Sequence, residues 1–69
     1  MKRKIYPELV KEMAQRGETQ KELGKLLGIP GSSIGRRLIG EIEWSISEID
    51  TLCKHFDKDY YELFKTNKE

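Results

Sequence analysis

The sequence predicts an all-α fold, a compact domain of five short helices, and three observations carry that prediction. Apolar residues recur at helical spacing along most of the chain, as in Leu9, Val10, Met13 and Ala14 and again in Ile49, Leu52, Cys53 and Phe56. Helix-start pairs stand ahead of three such stretches: Thr19 with Glu22, Ser45 with Glu48, and Asp59 with Glu62. No segment alternates apolar and polar residues as a half-buried strand would, and no repeat or low-complexity linker divides the chain.

Each element follows from its residues. Pro7 suits the first turn of the first helix, where its missing N–H does no harm, and Gly17 closes that helix. The Thr19–Glu22 pair forms a capping box that opens the second helix, with Leu23, Leu26 and Leu27 as its apolar positions. Gly24 sits mid-helix, where glycine costs about 1 kcal/mol relative to alanine. A close helix crossing that excludes larger side chains is the simplest feature to offset that cost. Gly28 falls just past the last apolar position, where a left-handed cap is expected. The third helix is expected from about Gly31 to Ile39, with Ile34 and Leu38 one turn apart on its buried side. Its start is unusual, because Pro30-Gly31 stands where a Ser or Thr cap is normal. The Ser45–Glu48 pair opens a fourth helix, with Trp44 expected to staple over Ile49. Asp59 and Glu62 signal a short fifth helix, with Tyr60, Leu63 and Phe64 facing inward and Tyr61 mainly in the core.

The 69 residues suffice for one small domain, 1–69, with a basic arm at 1–5 and a polar tail at 65–69 that is expected to fray. A core this small is marginal, so well-formed helix packing or dimerisation is expected to add stability. Hydrophobic and charged residues each make up 36%, a balance that excludes a disordered chain. No apolar run approaches the roughly 20 residues that cross a bilayer. The basic start Met1-Lys2-Arg3-Lys4 lacks the apolar stretch of a signal peptide. One cysteine excludes an internal disulfide framework and fits a cytoplasmic setting. The net charge of +1 conceals an asymmetry: residues 1–40 carry +5 and residues 41–69 carry −4. A basic face built by the first half follows from that split.

That half also holds Thr19-Gln20-x-x-Leu23-Gly24-x-x-Leu27-Gly28-Ile29-x-x-x-x-Ile34. The spacing reads as a helix-turn-helix: two short helices meet at a tight turn, and Ile29 and Ile34 fix the second across the first. Such a second helix enters the DNA major groove. With Met13-Ala14-x-x-Gly17 ahead of this motif, Ile34-Gly35-Arg36-Arg37-Leu38-x-Gly40 closing it, and Trp44 to Glu48 and Tyr60 to Phe64 beyond, the chain resembles the phage repressor and Cro-type helix-turn-helix family, the lambda-repressor-like fold. The resemblance runs from Tyr6 to Phe64. It implies a five-helix DNA-binding domain, usually a homodimer on a near-palindromic operator. It implies that Gln20 hydrogen-bonds a backbone phosphate with help from the helix N-terminus. It also places Gly31, Ser32, Ser33, Gly35 and Arg36 on the groove-facing side of the third helix.

The chain departs from the family pattern in four places. The family usually has alanine where Gly24 stands and a polar cap where Pro30 stands. Many members pair an arginine at the Met13 position with a glutamate at the Leu38 position; here both are apolar and are expected to pack together. Replacing an ion pair in this way is often neutral or stabilising. The loop after the third helix carries Glu41 and Glu43 where basic or amide groups are common, which weakens the expected grip on phosphate.

Arg36 is the leading candidate for base readout, because a guanidinium bonds guanine O6 and N7 together, worth about 1–3 kcal/mol of discrimination. Its alternatives are a phosphate contact or plain solvation. Ser32 and Ser33, with Gly31, complete the expected base-contact set, although the serines suit a phosphate or a substitute helix cap equally well. Gly31 and Gly35 imply either close backbone approach to DNA or a helix that firms up only when bound. Arg37 points roughly 100° further round the helix than Arg36, toward a phosphate or a surface carboxylate. Thr19, Lys21 and Lys25 join Gln20 and Arg37 as expected phosphate contacts, along with Lys2, Arg3 and Lys4 of the arm. Ordinary solubilising charge is the alternative for each lysine.

Cys53 and His55 are too close on one helix for a metal pair, Cys53 belonging to the core stripe and His55 to the surface. No nucleophile, base and orienting group converge, so an enzyme is not expected, nor a metal, cofactor or small-molecule ligand. The sequence therefore reads as a sequence-specific transcriptional regulator, a repressor or Cro-like switch protein of phage or bacterial origin. The competing class is a protein-interaction module on the same fold, an antitoxin, anti-repressor or adaptor with weak DNA affinity.

Overall fold

Helix boundaries follow the caps. The computed structural model describes residues 5–66 and contains α1 (Pro7–Arg16), α2 (Gln20–Leu27), α3 (Gly31–Leu38), α4 (Ile46–Phe56) and α5 (Tyr60–Leu63). The N-terminal arm residues Lys2, Arg3 and Lys4 and the end of the expected tail lie outside the described residues. α1 begins on Pro7 and ends where Gly17 turns left-handed at φ 68°. Thr19 Oγ1 then accepts from the Glu22 N–H at 3.2 Å while a Glu22 carboxylate oxygen accepts from the Thr19 N–H at 2.9 Å. This reciprocal box opens α2. The same exchange between Ser45 and Glu48 opens α4.

The third box is only half formed. Asp59 accepts from the Glu62 N–H at 2.8 Å, but the Glu62 carboxylate lies 3.7 Å from Lys58 Nζ, a basic partner on the same side of the turn. α3 begins without any side-chain cap, so neither serine substitutes for one; the Pro30 carbonyl accepts from Ser33 and Ile34. Its last helical residue is Leu38, and Ile39 forms the C-cap.

Each helix contributes one fully buried aliphatic side chain to a shared centre: Leu9, Leu23, Ile34, Leu52 and Leu63 in chain order. Met13 and Leu38 are both buried in the same cluster, and Leu27, Ile29, Ile49 and Cys53 pack against it. Tyr6, Trp44 and Phe64 meet edge to face, with ring centroids 5.7–6.4 Å apart. Trp44 thus joins the two ends of the fold and lines a crevice together with Ile49.

Several apolar side chains remain outside this core. Tyr60 is 50% and Tyr61 84% exposed, because a four-residue helix has one inward side and Leu63 and Phe64 fill it. Val10 and Leu26 are also exposed. His55, expected on the surface, is half-buried there: its Nε2 stands 2.7 Å from a Glu18 oxygen, and beside it Arg16 donates to the His55 and Phe56 carbonyls and lies over the Phe56 ring. These contacts fasten the end of α4 to the turn between α1 and α2.

The crossing of α2 and α3 is where the helices come closest. A Cβ on Gly24 would stand 3.1 Å from the Gly31 nitrogen and 3.2 Å from the Pro30 carbonyl carbon, and nearer still to the Ile29 carbonyl oxygen. All three atoms are backbone and none rotates away. Gly24→Ala gains about 1 kcal/mol of helix propensity but overpacks the turn at a cost of about 1–3 kcal/mol. The expected result is a net loss of stability, read as a thermal midpoint roughly 5–10 °C lower; an equal or higher midpoint refutes the crowding argument.

Candidate nucleic-acid interface

The sequence-predicted site residues lie on α2, α3 and the turns flanking them. Ile34 and Leu38 face the core, so the opposite side of α3 is turned outward, and it carries Ser32 and Arg36, both exposed and one turn apart. Ser33 is half-buried. On α2, Gln20, Lys21 and Lys25 are exposed, and Thr19 uses its hydroxyl in the capping box. Glu41 and Glu43 are exposed in the loop that follows α3.

The two α3 glycines have an internal explanation that neither sequence reading anticipated. A Cβ on Gly31 would meet the α2 backbone, with Lys21 Cα and N both at 3.2 Å and the Gln20 carbonyl carbon at 3.4 Å. At Gly35 the neighbour is the Gln20 side chain. At Gly31 the fixed α2 backbone leaves no room for a Cβ, whereas at Gly35 only the flexible end of Gln20 would have to shift. Gly31 therefore has no side chain to offer a base, and its backbone is turned to α2.

Arg37, expected to meet either a phosphate or a carboxylate, meets a carboxylate within the fold. Its Nε and Nη2 donate to the two Glu48 oxygens at 3.1 and 3.3 Å, and its Nη1 donates to the Ser33 carbonyl at 3.3 Å. The two side chains are only 14% and 13% exposed. Glu48 thus serves two elements, since the oxygen that takes Arg37 Nε also takes the Ser45 N–H. No local spacing signals this bridge, which joins residues eleven apart across a loop.

Burial alone would push the Glu48 carboxyl upward. The Ser45 N–H, and the hydrogen bond and charge of Arg37, outweigh it and hold the carboxyl below its usual range. Burial and the nearby Asp50 and Asp59 push the Cys53 thiol upward, away from the reactive thiolate form. No three His, Cys, Asp or Glu side chains converge on a metal-sized site among the described residues. No described helix is long and apolar enough to cross a membrane.

Two helices joined by a glycine-capped turn, the second held edge-on with its polar side outward, define a helix-turn-helix DNA-binding domain. The chain belongs to the Cro/C1-type HTH DNA-binding domain family, whose model matches residues 8–69. That match spans both the turn and the helices around it, and the family is a DNA-binding one rather than a family of enzymes. No curated protein matches the chain significantly.

The Glu48 shift fixes a pH dependence. A carboxyl held lower in the fold than in the unfolded chain stabilises the fold above its unfolded value and loses that contribution as pH falls. Urea-unfolding stability is expected to hold near neutrality and decline below about pH 4.3. Glu48→Gln should lower stability at pH 7 by about 1–3 kcal/mol and flatten that decline; an unchanged acid slope in the variant removes Glu48 as its source.

Proposed function

We propose that the protein is a sequence-specific transcriptional regulator, a repressor or Cro-like switch protein of phage or bacterial origin. The observation that carries this reading is the exposed Ser32–Arg36 row on α3, opposite the buried anchors Ile34 and Leu38. Laid in a major groove, that row puts Arg36 against a guanine edge and Ser32 against a neighbouring base or phosphate. Lys21 and Lys25, exposed on α2, meet the flanking phosphates. Occupancy of a promoter blocks polymerase without any chemistry, in the cytoplasm where the chromosome or phage genome lies.

A near-palindromic operator needs two copies, with their α3 helices about 34 Å apart on one DNA face. The α4–α5 surface suits that pairing. A shallow apolar groove there is lined by Ile46, Ile49, Asp50, Cys53 and Tyr60, and Ile46 is 86% exposed. Asp50 and Lys54, paired at 3.1 Å beside the groove, give it charges of both signs, which a two-fold contact could match across the axis. Ile46→Glu leaves the core untouched and is expected to turn a sedimenting dimer into a monomer; a variant that sediments as the wild type places the pairing elsewhere.

Glu41 and Glu43, exposed beside α3, favour the second reading, a protein-interaction module with weak DNA affinity. Selection from random duplexes at moderate salt separates the two. A regulator recovers a palindromic motif, and Arg36→Ala relaxes it at one guanine per half-site. Equal affinity for all sequences, or none, supports the module.

A further inference from the structure

We propose that Arg37 is a positioning residue for DNA recognition, fixing the roll of α3 about its axis and so aiming Arg36. This role depends on the reading of DNA by the Ser32–Arg36 row proposed above. Successive helical residues lie roughly 100° apart, so Arg37 and Ser33 fall on one flank of the buried Ile34–Leu38 line and Gly31 and Gly35 on the other. Two anchors one turn apart fix that line but leave α3 free to roll about it. On the glycine flank the α2 backbone lies 3.2 Å from the place of a Gly31 Cβ, which stops a roll in that direction.

The other flank is held differently. Among the described residues, α3 and α4 lack the close backbone approach that joins α2 and α3. Arg37 and Glu48 reach across that wider gap, with Nε and Nη2 on the two carboxylate oxygens. Nη1 bonds the Ser33 carbonyl one turn back, so a single guanidinium is fixed to α3 and to α4. Three of its five N–H donors are thus engaged within the fold. Swinging Arg37 out to a phosphate would leave Glu48, nearly buried, without its countercharge, and a buried carboxylate left alone is costly.

Arg36, the adjacent residue, carries its guanidinium well out from the α3 axis, so a small roll becomes a large displacement at its tip. A bidentate pair with guanine tolerates only about 0.5 Å and 10–20° of error. Charge attraction to phosphates is far more tolerant. Loosening the bridge therefore removes base discrimination while general affinity for DNA remains.

The test uses the full chain as wild type, Arg37→Met, Glu48→Gln and Arg16→Ala, each shown to be folded by its melt. Arg37→Met keeps the packed stem and removes the donors. Arg16→Ala is the control, since it loosens α4 at its last turn rather than its first. Selection from random duplexes gives the wild-type motif, and competition on that operator and its single base-pair variants follows at several salt concentrations. Arg37→Met should lose discrimination at the guanine read by Arg36, from roughly 5- to 100-fold toward none. Its affinity for unrelated DNA and its salt slope should not change. Glu48→Gln, which keeps an oxygen for Ser45 but loses the charge, should lose part of the same discrimination, and Arg16→Ala none. Full discrimination in Arg37→Met overturns the assignment, as does an equal loss in Arg16→Ala, which reduces the bridge to plain stability. So does uniform weakening by Arg37→Met with the salt slope reduced by about one, accompanied by tighter binding of Glu48→Gln, the mark of a phosphate contact. A wild type that recovers no motif sinks the regulator reading and the Arg37 assignment together.

Discussion

Between Gly24 and Gly31 the helices α2 and α3 meet backbone to backbone, with no side chain from either glycine between them. Close approach there sets the angle at which α3 leaves the turn. That angle in turn decides which of its sides faces Leu9, Leu23 and Leu52 and which faces outward. A wider crossing would lift Ile34 from the centre and rotate Ser32 and Arg36 away from a common plane. The left-handed cap at Gly28, φ 75°, and the bond from the Ile29 N–H to the Gly24 carbonyl hold the turn at this spacing. Pro30 adds a fixed φ of −63° at the entry to α3, a rigid joint where a hydroxyl cap would be softer.

Polar clamps then hold the remaining helices to this pair. Arg37 and Glu48 join the last turn of α3 to the first turn of α4, and Arg16 with Glu18 grips the last turn of α4 from the other side. α4 is thus tied at both ends, to α3 through Arg37 and to the α1–α2 turn through Arg16 and Glu18. The rings of Tyr6, Trp44 and Phe64 close the assembly where the chain enters α1 and leaves α5. A centre of five aliphatic side chains is small, and these directional contacts select one packing among the several that such a centre would admit.

Much of this was legible in the sequence, and the reason lies in which signals are local. The Thr19–Glu22 and Ser45–Glu48 boxes, the Ile34–Leu38 pair and the costly mid-helix Gly24 each announce themselves within one or two turns of chain. Asp59–Glu62 carried the same signature yet formed only half a box, because Lys58 competes for the Glu62 carboxylate. Arg37 with Glu48, Arg16 with His55 and Phe56, and Glu18 with His55 join residues far apart in the chain, and such pairs leave no periodic trace. For the site, exposure of Arg36 and Ser32 followed from the helix period. The neighbours of Gly31 and Gly35 did not, since an absent side chain gives no hint of what occupies its place.

The placement of one buried aliphatic per helix has an evolutionary consequence. Ser32 and Arg36 share α3 with Ile34 and Leu38 but none of their packing, so changes at the outer row leave the centre intact. Recognition is thereby free to diverge by single substitutions while the scaffold persists. Gly31 is the exception, pinned by the α2 backbone, and marks where such drift stops.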